Sequence, residues 1–412
     1  MSSPIRCRSC GMLLQHTFVD LGMSPVSNAN ISSESSEAME PFFPLHARVC
    51  NLCWLVQLPE IEKPQQIFKE DYAYFSSYSD SWLAHCRSYA DQMVERCGLS
   101  SQSFVVEVAS NDGYLLQYLV QKGVPVLGIE PSANVAEAAR KKGVETLVKF
   151  FGEQTARDLK QDGYRADLII GNNVLAHVPD ILDFVRGLKV LLKADGVITL
   201  EFPHLLQMMN NNQFDTIYHE HFSYLSLLSV RKIFQSAGLR IFDVEELTTH
   251  GGSLRIFGCH QENGRFDGEP RVVAVLQKEL KAGLASLEAY SRFSHQVCST
   301  KRALLDLLIR IKAGGKKIAG YGAPAKGNTL LNYCGIRTDF IDYTVDKNPH
   351  KQGKLLPGTH IPVYAPERIM ETRPDYVLIL PWNIKGEVME QMKGIRQWGG
   401  KFIVPIPNPE VL

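Results

Sequence analysis

Phe104-Val105-Val106-Glu107-Val108-Ala109-Ser110-Asn111-Asp112-Gly113 is the stretch on which the fold turns. Four apolar residues around one acid read as a strand covered on both faces, and Asn111-Asp112-Gly113 reads as a turn into a helix over 114–121. Outward from it the alternation continues. Strands are expected at 126–130, 168–170 and 196–202, with helices at 133–142 and 180–193 between them. Such alternation predicts a doubly wound parallel sheet. Glu130 closes the second strand, 23 residues after Glu107, where a carboxylate can bind both hydroxyls of a ribose. The turn carries one glycine where dinucleotide enzymes have three. A pyrophosphate would have poor access, so the motif favours S-adenosylmethionine, against the alternative of an ordinary α/β turn.

A second alternating block starts at Lys317-Ile318-Ala319-Gly320-Tyr321-Gly322, a strand running into a glycine turn. A helix at 328–333, strands at 340–346, 376–381 and 402–405, and a helix at 385–392 follow. One long helix is expected over roughly 271–312, and an amphipathic one at 81–97 with Trp82, His85, Tyr89 and Met93 at helical spacing. Residues 1–65 read as short strands and turns, interrupted by prolines. The expected units are a small domain at 1–80, an α/β domain at 81–262 and a second α/β domain at 263–412.

The chain has 412 residues, which suits two or three domains at about 150 each. Forty-four Lys+Arg balance 44 Asp+Glu, so a dedicated nucleic-acid binder is not expected. No apolar run reaches membrane-spanning length, and the N-terminal residues lack the apolar core of a signal peptide. A cytoplasmic protein without membrane partners is the expectation. Nine cysteines, an odd number, argue against a disulfide framework. Four of them form Cys7-x-x-Cys10 and Cys50-x-x-Cys53, a spacing that lets four thiolates close on one tetrahedral zinc. A closed four-thiolate site has no open position for substrate, so the metal is expected to be structural; two redox dithiols are the alternative.

Two further clusters carry chemistry. Tyr218-His219-Glu220-His221 is too densely ionisable for a solvated face. On an extended segment Tyr218 and Glu220 would share one side, and His219 and His221 the other. A histidine there suits proton abstraction, unless the pair is merely hydrogen-bonded structure. Gly320-Tyr321-Gly322-Ala323-Pro324-Ala325-Lys326-Gly327-Asn328 can cradle phosphate at a helix N-terminus, with Lys326 as the charge, or can be structural. Asp346, ending the next strand, is a second candidate for a ribose. An aromatic group, Tyr72, Tyr74, Phe75 and Tyr78, precedes the first α/β block; Tyr78 reads equally well as core.

Taken in order, the cysteine pairs, Tyr72-Ala73-Tyr74-Phe75-Ser76-Ser77, Glu107 through Gly113 and Asn172-Asn173-Val174-Leu175-Ala176-His177 resemble one family. Tyr218 through His221, Thr249-His250-Gly251-Gly252-Ser253-Leu254-Arg255 and Tyr321 through Asn328 complete the set. The family is the zinc-containing, S-adenosylmethionine-dependent sugar C-methyltransferases, which act on nucleotide-linked 4-keto deoxysugars of antibiotics and surface polysaccharides. Pro324 is a minor departure, since relatives often have a small residue there. The resemblance implies a zinc-binding N-terminal domain, a central class I methyltransferase domain and a C-terminal Rossmann-like domain, working as a monomer with substrate between the last two. It implies His221 as base, with Tyr218, Glu220 and His177 beside it. Tyr72, Tyr74, Glu107, Ser110, Asn111, Gly113, Glu130 and Asn172 would serve the cofactor, and Lys326 and Asn328 the diphosphate of a dTDP- or GDP-linked sugar. An O- or N-methyltransferase on a related sugar, a non-catalytic zinc module and a nicotinamide-dependent dehydrogenase are the competing readings.

Overall fold

The computed structural model describes residues 4–32, 35, 37–61, 75–268 and 270–412. Val105–Val108 is buried at every position, as a strand covered by helices on both faces must be. It is an interior strand of a seven-stranded sheet. The order across the sheet is Leu239–Leu247, Ser253–His260, Leu192–Pro203, Ala166–Asn172, Val105–Val108, Val126–Ile129 and Thr146–Leu147. Five strands run parallel, and the hairpin 239–260 adds antiparallel to Leu192–Pro203. Strand order reverses between Val105–Val108 and Ala166–Asn172, which opens a crevice at their carboxyl ends.

The second block forms its own sheet, in the order Val363–Tyr364, Thr344–Val345, Ile318–Tyr321, Tyr376–Ile379, Lys401–Val404 and Glu410–Val411; all but the last pair are parallel. The expected strand at 340–346 is reduced to Thr344–Val345. The expected long helix is two: Pro270–Lys281 and Leu287–Ala313. Gly283 at φ +89° breaks the chain between them, and the Ser286 side chain caps the second by accepting from the Glu288 N–H. Tyr290, Phe293, Val297, Leu304, Leu308 and Ile311 line the buried stripe of that second helix.

His16–Ser24, Phe43–Val49 and Val56–Gln57 make an antiparallel sheet whose fourth strand, Ser223–Tyr224, comes from the central part of the chain. Phe18 stacks on Phe293 at 4.7 Å between ring centres, so this sheet and the C-terminal block share one hydrophobic core. Cys7, Cys50, Cys53 and Leu55 instead join the core of the central sheet. The N-terminal unit is thus wedged against both α/β units. No helix among the described residues is long and apolar enough to cross a membrane.

Candidate active site and zinc centre

The turn after Val105–Val108 bends more tightly than its single glycine suggests. Ala109 (φ +57°), Asn111 (φ +47°) and Gly113 (φ +72°) all take the left-handed conformation. One glycine is present, yet three positions behave as glycine would, Asn111 at the least strain. Among the described residues, the tight turn leaves buried polar atoms without partners: the Ser110 hydroxyl, one Asp112 oxygen and both amide atoms of Asn172. Burial holds the Glu107 carboxyl well above the usual range, against the Tyr114 hydroxyl. Glu130 accepts from the backbone N–H groups of Asn111 (3.1 Å) and Ser132 (2.9 Å). Orphaned acceptors and donors at a switch point fit a polar, cationic ligand such as S-adenosylmethionine. Gly128 is needed below this turn, because a Cβ there would stand 2.4 Å from the Ser110 hydroxyl. Tyr72 and Tyr74 lie outside the described residues. Tyr78 is 64% exposed, so its reading as core is overturned.

The segment 218–221 is a turn, not an extended strand: the His221 N–H bonds the Tyr218 carbonyl at 2.9 Å. Residues three apart therefore meet, and the Tyr218 and His221 rings lie 4.0 Å apart. Alternation would have separated them. Glu220 turns the other way, to Asn28 (2.7 Å), and His219 to the Pro44 carbonyl (3.3 Å). The His177 ring stands 4.6 Å from that of His221. Its Nδ1 pairs with the Glu220 carbonyl at 2.8 Å, and Nδ1 of His221 with the Thr216 carbonyl at 2.8 Å. A carbonyl only accepts, so each Nδ1 carries the proton and each Nε2 keeps its lone pair. Burial lowers His221 well below 6.5 and His177 to about 4. Burial thus favours the neutral form of both rings.

Four residues that sequence reading gave no role, His250, Asp215, Trp382 and Asn383, complete the cleft around Lys326. His250, left-handed at φ +52°, pairs through Nε2 with the Asn173 amide at 3.0 Å. Asp215, raised to about 6 by burial, accepts from Trp382 Nε1 at 2.6 Å. Lys326 sits over the Trp382 ring at 4.9 Å and donates to Asn383 at 2.9 Å. Its charge bears on His221, His250 and Asp215 alike. Trp382 and Asn383 follow the strand Tyr376–Ile379, and a carboxyl end of a parallel strand was the signal that could have found them. Asp215 carries no sequence signal. The Thr249–Arg255 motif frames the same cleft: Thr249 donates to Glu201 (2.9 Å), as does Arg255 (2.8 Å), with His85 beside them at 3.0 Å.

Most polar groups of the other phosphate-type turn are satisfied, although the buried Asn328 Oδ1 has no partner among the described residues. Both oxygens of Asp346 accept backbone N–H groups, from Ala323 (2.7 Å) and Asn348 (2.8 Å). The Asn328 amide donates to the Ser27 carbonyl at 2.6 Å, binding the N-terminal unit. Lys326 is the charge this turn projects into the cleft.

Cys7, Cys10, Cys50 and Cys53 bring four sulfurs within 4.8 Å of one another. Three are buried, and Gln57 Nε2 donates to the Cys7 sulfur at 3.2 Å. The set fits zinc, which four thiolates hold in a closed tetrahedron.

C-methyltransferase NovU of Streptomyces niveus is 37% identical over 406 residues, 98% of this chain and 96% of that protein. The chain belongs to the C-methyltransferase family. Family models agree in three pieces: a zinc binding domain over 7–68, a methyltransferase domain over 82–244 and a C-methyltransferase C-terminal domain over 248–407. This family member is therefore an S-adenosylmethionine-dependent C-methyltransferase with a zinc-binding N-terminal domain. A ubiquinone biosynthesis O-methyltransferase of Haemophilus ducreyi matches only 23% of the chain, at 30% identity over 102 residues, and 43% of its own length. Magnesium protoporphyrin IX methyltransferase of Synechocystis PCC 6803, solved with bound SAH, covers 43% of this chain and 83% of its own at 18% identity and TM-score 0.35.

Proposed function

We propose that this C-methyltransferase adds a methyl branch at C-3 of a dTDP- or GDP-linked 4-keto-6-deoxyhexose through an enolate. The observation that carries the reading is the geometry of His221, with Nδ1 held on the Thr216 carbonyl and Tyr218 in ring contact. His221 Nε2 takes the C-3 proton, which is acidic because the neighbouring ketone spreads the resulting charge onto oxygen. The Tyr218 hydroxyl donates to that oxygen, where negative charge develops. Tyr218 also orients the sugar ring, Glu220 holds the turn through Asn28, and His177 braces it through the Glu220 carbonyl. Glu107, Ser110, Asn111, Gly113, Glu130 and Asn172 would hold the cofactor, which when bound supplies an electrophilic sulfonium methyl. Lys326 balances the diphosphate, aided by the first-turn N–H groups of Ala325–Cys334. With its amide donor on Ser27, Asn328 shapes this subsite rather than donating to it. The domain limits 1–80, 81–262 and 263–412 belong to the same proposal, with one chain sufficient for the site.

The test is deuterium at C-3 of a dTDP-linked 4-keto-6-deoxyhexose, and separately of its GDP counterpart. Loss of the label to solvent with S-adenosylmethionine present supports the enolate. A methylated product that keeps the label would point to O- or N-transfer and discard it.

A further inference from the structure

The proposed base sits on a turn that the zinc unit helps to hold in place. Ser223–Tyr224, immediately beyond His221, pairs antiparallel with Val56–Gln57, and the Leu58 N–H bonds the Phe222 carbonyl at 3.0 Å. Arg8, between the first two cysteines, reaches both histidine loops. Its Nη1 donates to the Pro179 carbonyl at 3.0 Å, two residues past His177. Its guanidinium lies 5.4 Å from the centre of the Phe222 ring, the residue after His221, and Nη2 donates to the Leu58 carbonyl. The Arg8 N–H donates to Gln57 Oε1 at 2.9 Å, while Gln57 Nε2 donates to the Cys7 sulfur. Gln57 is 2% exposed and faces Ser223 across the strand pair.

We infer that Arg8 is a positioning residue: its guanidinium ties the four-cysteine cluster to the loops that carry His177 and His221. The planar fork matters because it serves two carbonyls and one ring at once, from a backbone fixed by the cysteine turn. A lysine has one point of charge and cannot span them. Outer contacts of this kind typically govern about 10–100-fold in function when removed. The inference rests on the proposed base role of His221 only for its effect on turnover; the geometry at the two imidazoles is separate.

The experiment compares Arg8→Lys and Arg8→Gln with the exposed neighbour Arg6→Gln, in full-length zinc-loaded protein carrying ¹⁵N-histidine. Long-range ¹H–¹⁵N spectra report the tautomer of His177 and His221, and zinc content is measured on the same samples. Arg8→Lys and Arg8→Gln are expected to keep one zinc per chain while the His177 and His221 signals shift or split. Nδ1–H exchange with solvent at those rings should speed up about tenfold or more, kcat on the dTDP-linked ketosugar should fall by a similar factor, and KM should stay put. Arg6→Gln should change none of these. Unaltered His177 and His221 signals in a zinc-loaded Arg8 variant would overturn the inference. Loss of zinc in both variants would overturn it as well, since Arg8 would then serve the cluster alone. If the rings respond but the wild type turns over no ketosugar, the Arg8 assignment stands and the substrate reading falls.

Discussion

Two turns in this molecule look alike on paper: 107–113 in the central sheet and 320–328 in the C-terminal one. Each follows a parallel strand and leads into a helix. The second is the richer in glycine, yet most of its polar groups satisfy one another or the N-terminal unit, Asn328 Oδ1 excepted. The first has one glycine, bends through three left-handed residues, and leaves buried oxygens and nitrogens without a partner among the described residues. Glycine content therefore does not tell how much of a turn's hydrogen-bonding capacity stays open. Unmet capacity is the greater at 107–113, and burying such groups costs about 1–3 kcal/mol each until they are paired.

The comparison is tested most severely across the cleft that both turns face. His221→Ala should reduce methyl transfer by about 10²–10⁴ while titrated S-adenosylmethionine binding survives, since the base belongs to neither turn. Chelation of zinc, or Cys53→Ser, should melt the sheet that holds the 218–224 segment. Activity would then vanish, with a loss of N-terminal ellipticity and an earlier thermal transition. Next come the turns themselves. Glu130→Ala should weaken S-adenosylmethionine in calorimetry by about tenfold or more, the value of a charge-assisted hydrogen bond pair, and leave dTDP or GDP binding alone. Lys326→Gln should do the converse. Equal losses for both ligands from either substitution would erase the distinction between the turns.

Protonation gives a finer test. His177, His221 and His250 have folded pKa values depressed by burial, so the unfolded chain binds more protons below its own histidine pKa near 6.5. Stability from these rings is whole above pH 6.5 and drains as pH falls toward the folded values, about 4 for His177 and His250. Each ring contributes at most about 1.4 kcal/mol per pH unit in that window. Urea denaturation across it should show a steeper pH slope for wild type than for His250→Gln. The smallest expected effect is Ala109→Gly. Relieving one left-handed Cβ should stabilise the fold by about 1 kcal/mol or less, offset in part by the entropy of glycine in the unfolded chain.

Much of this site was legible in one dimension. The C-x-x-C pairs close into one cluster because ligand spacing is local, and the parallel sheet follows from period and alternation. Tyr218 and His221 were found as residues but given the wrong mutual geometry: alternation assumes a strand, and the Thr216 and Tyr218 carbonyls impose a turn instead. The single-helix reading of 271–312 failed similarly, where Gly283 and the Ser286 cap interrupt an otherwise continuous apolar stripe.

Sequence alone determined the zinc ligands, the α/β class and which short segments carry ionisable chemistry, because each depends on residue type at short spacing. Tertiary structure alone decided that Lys326, Asp215 and Trp382 meet His221 and His250 across one cleft, and that Arg8 stands behind both histidine loops. Lys326 and Trp382 lie 76 to 161 residues from these histidines and Arg8 up to 213, while Asp215 is only six from His221. Contact over such separations is fixed by how sheets pack and chains cross between units, for which no local pattern of residues is a record.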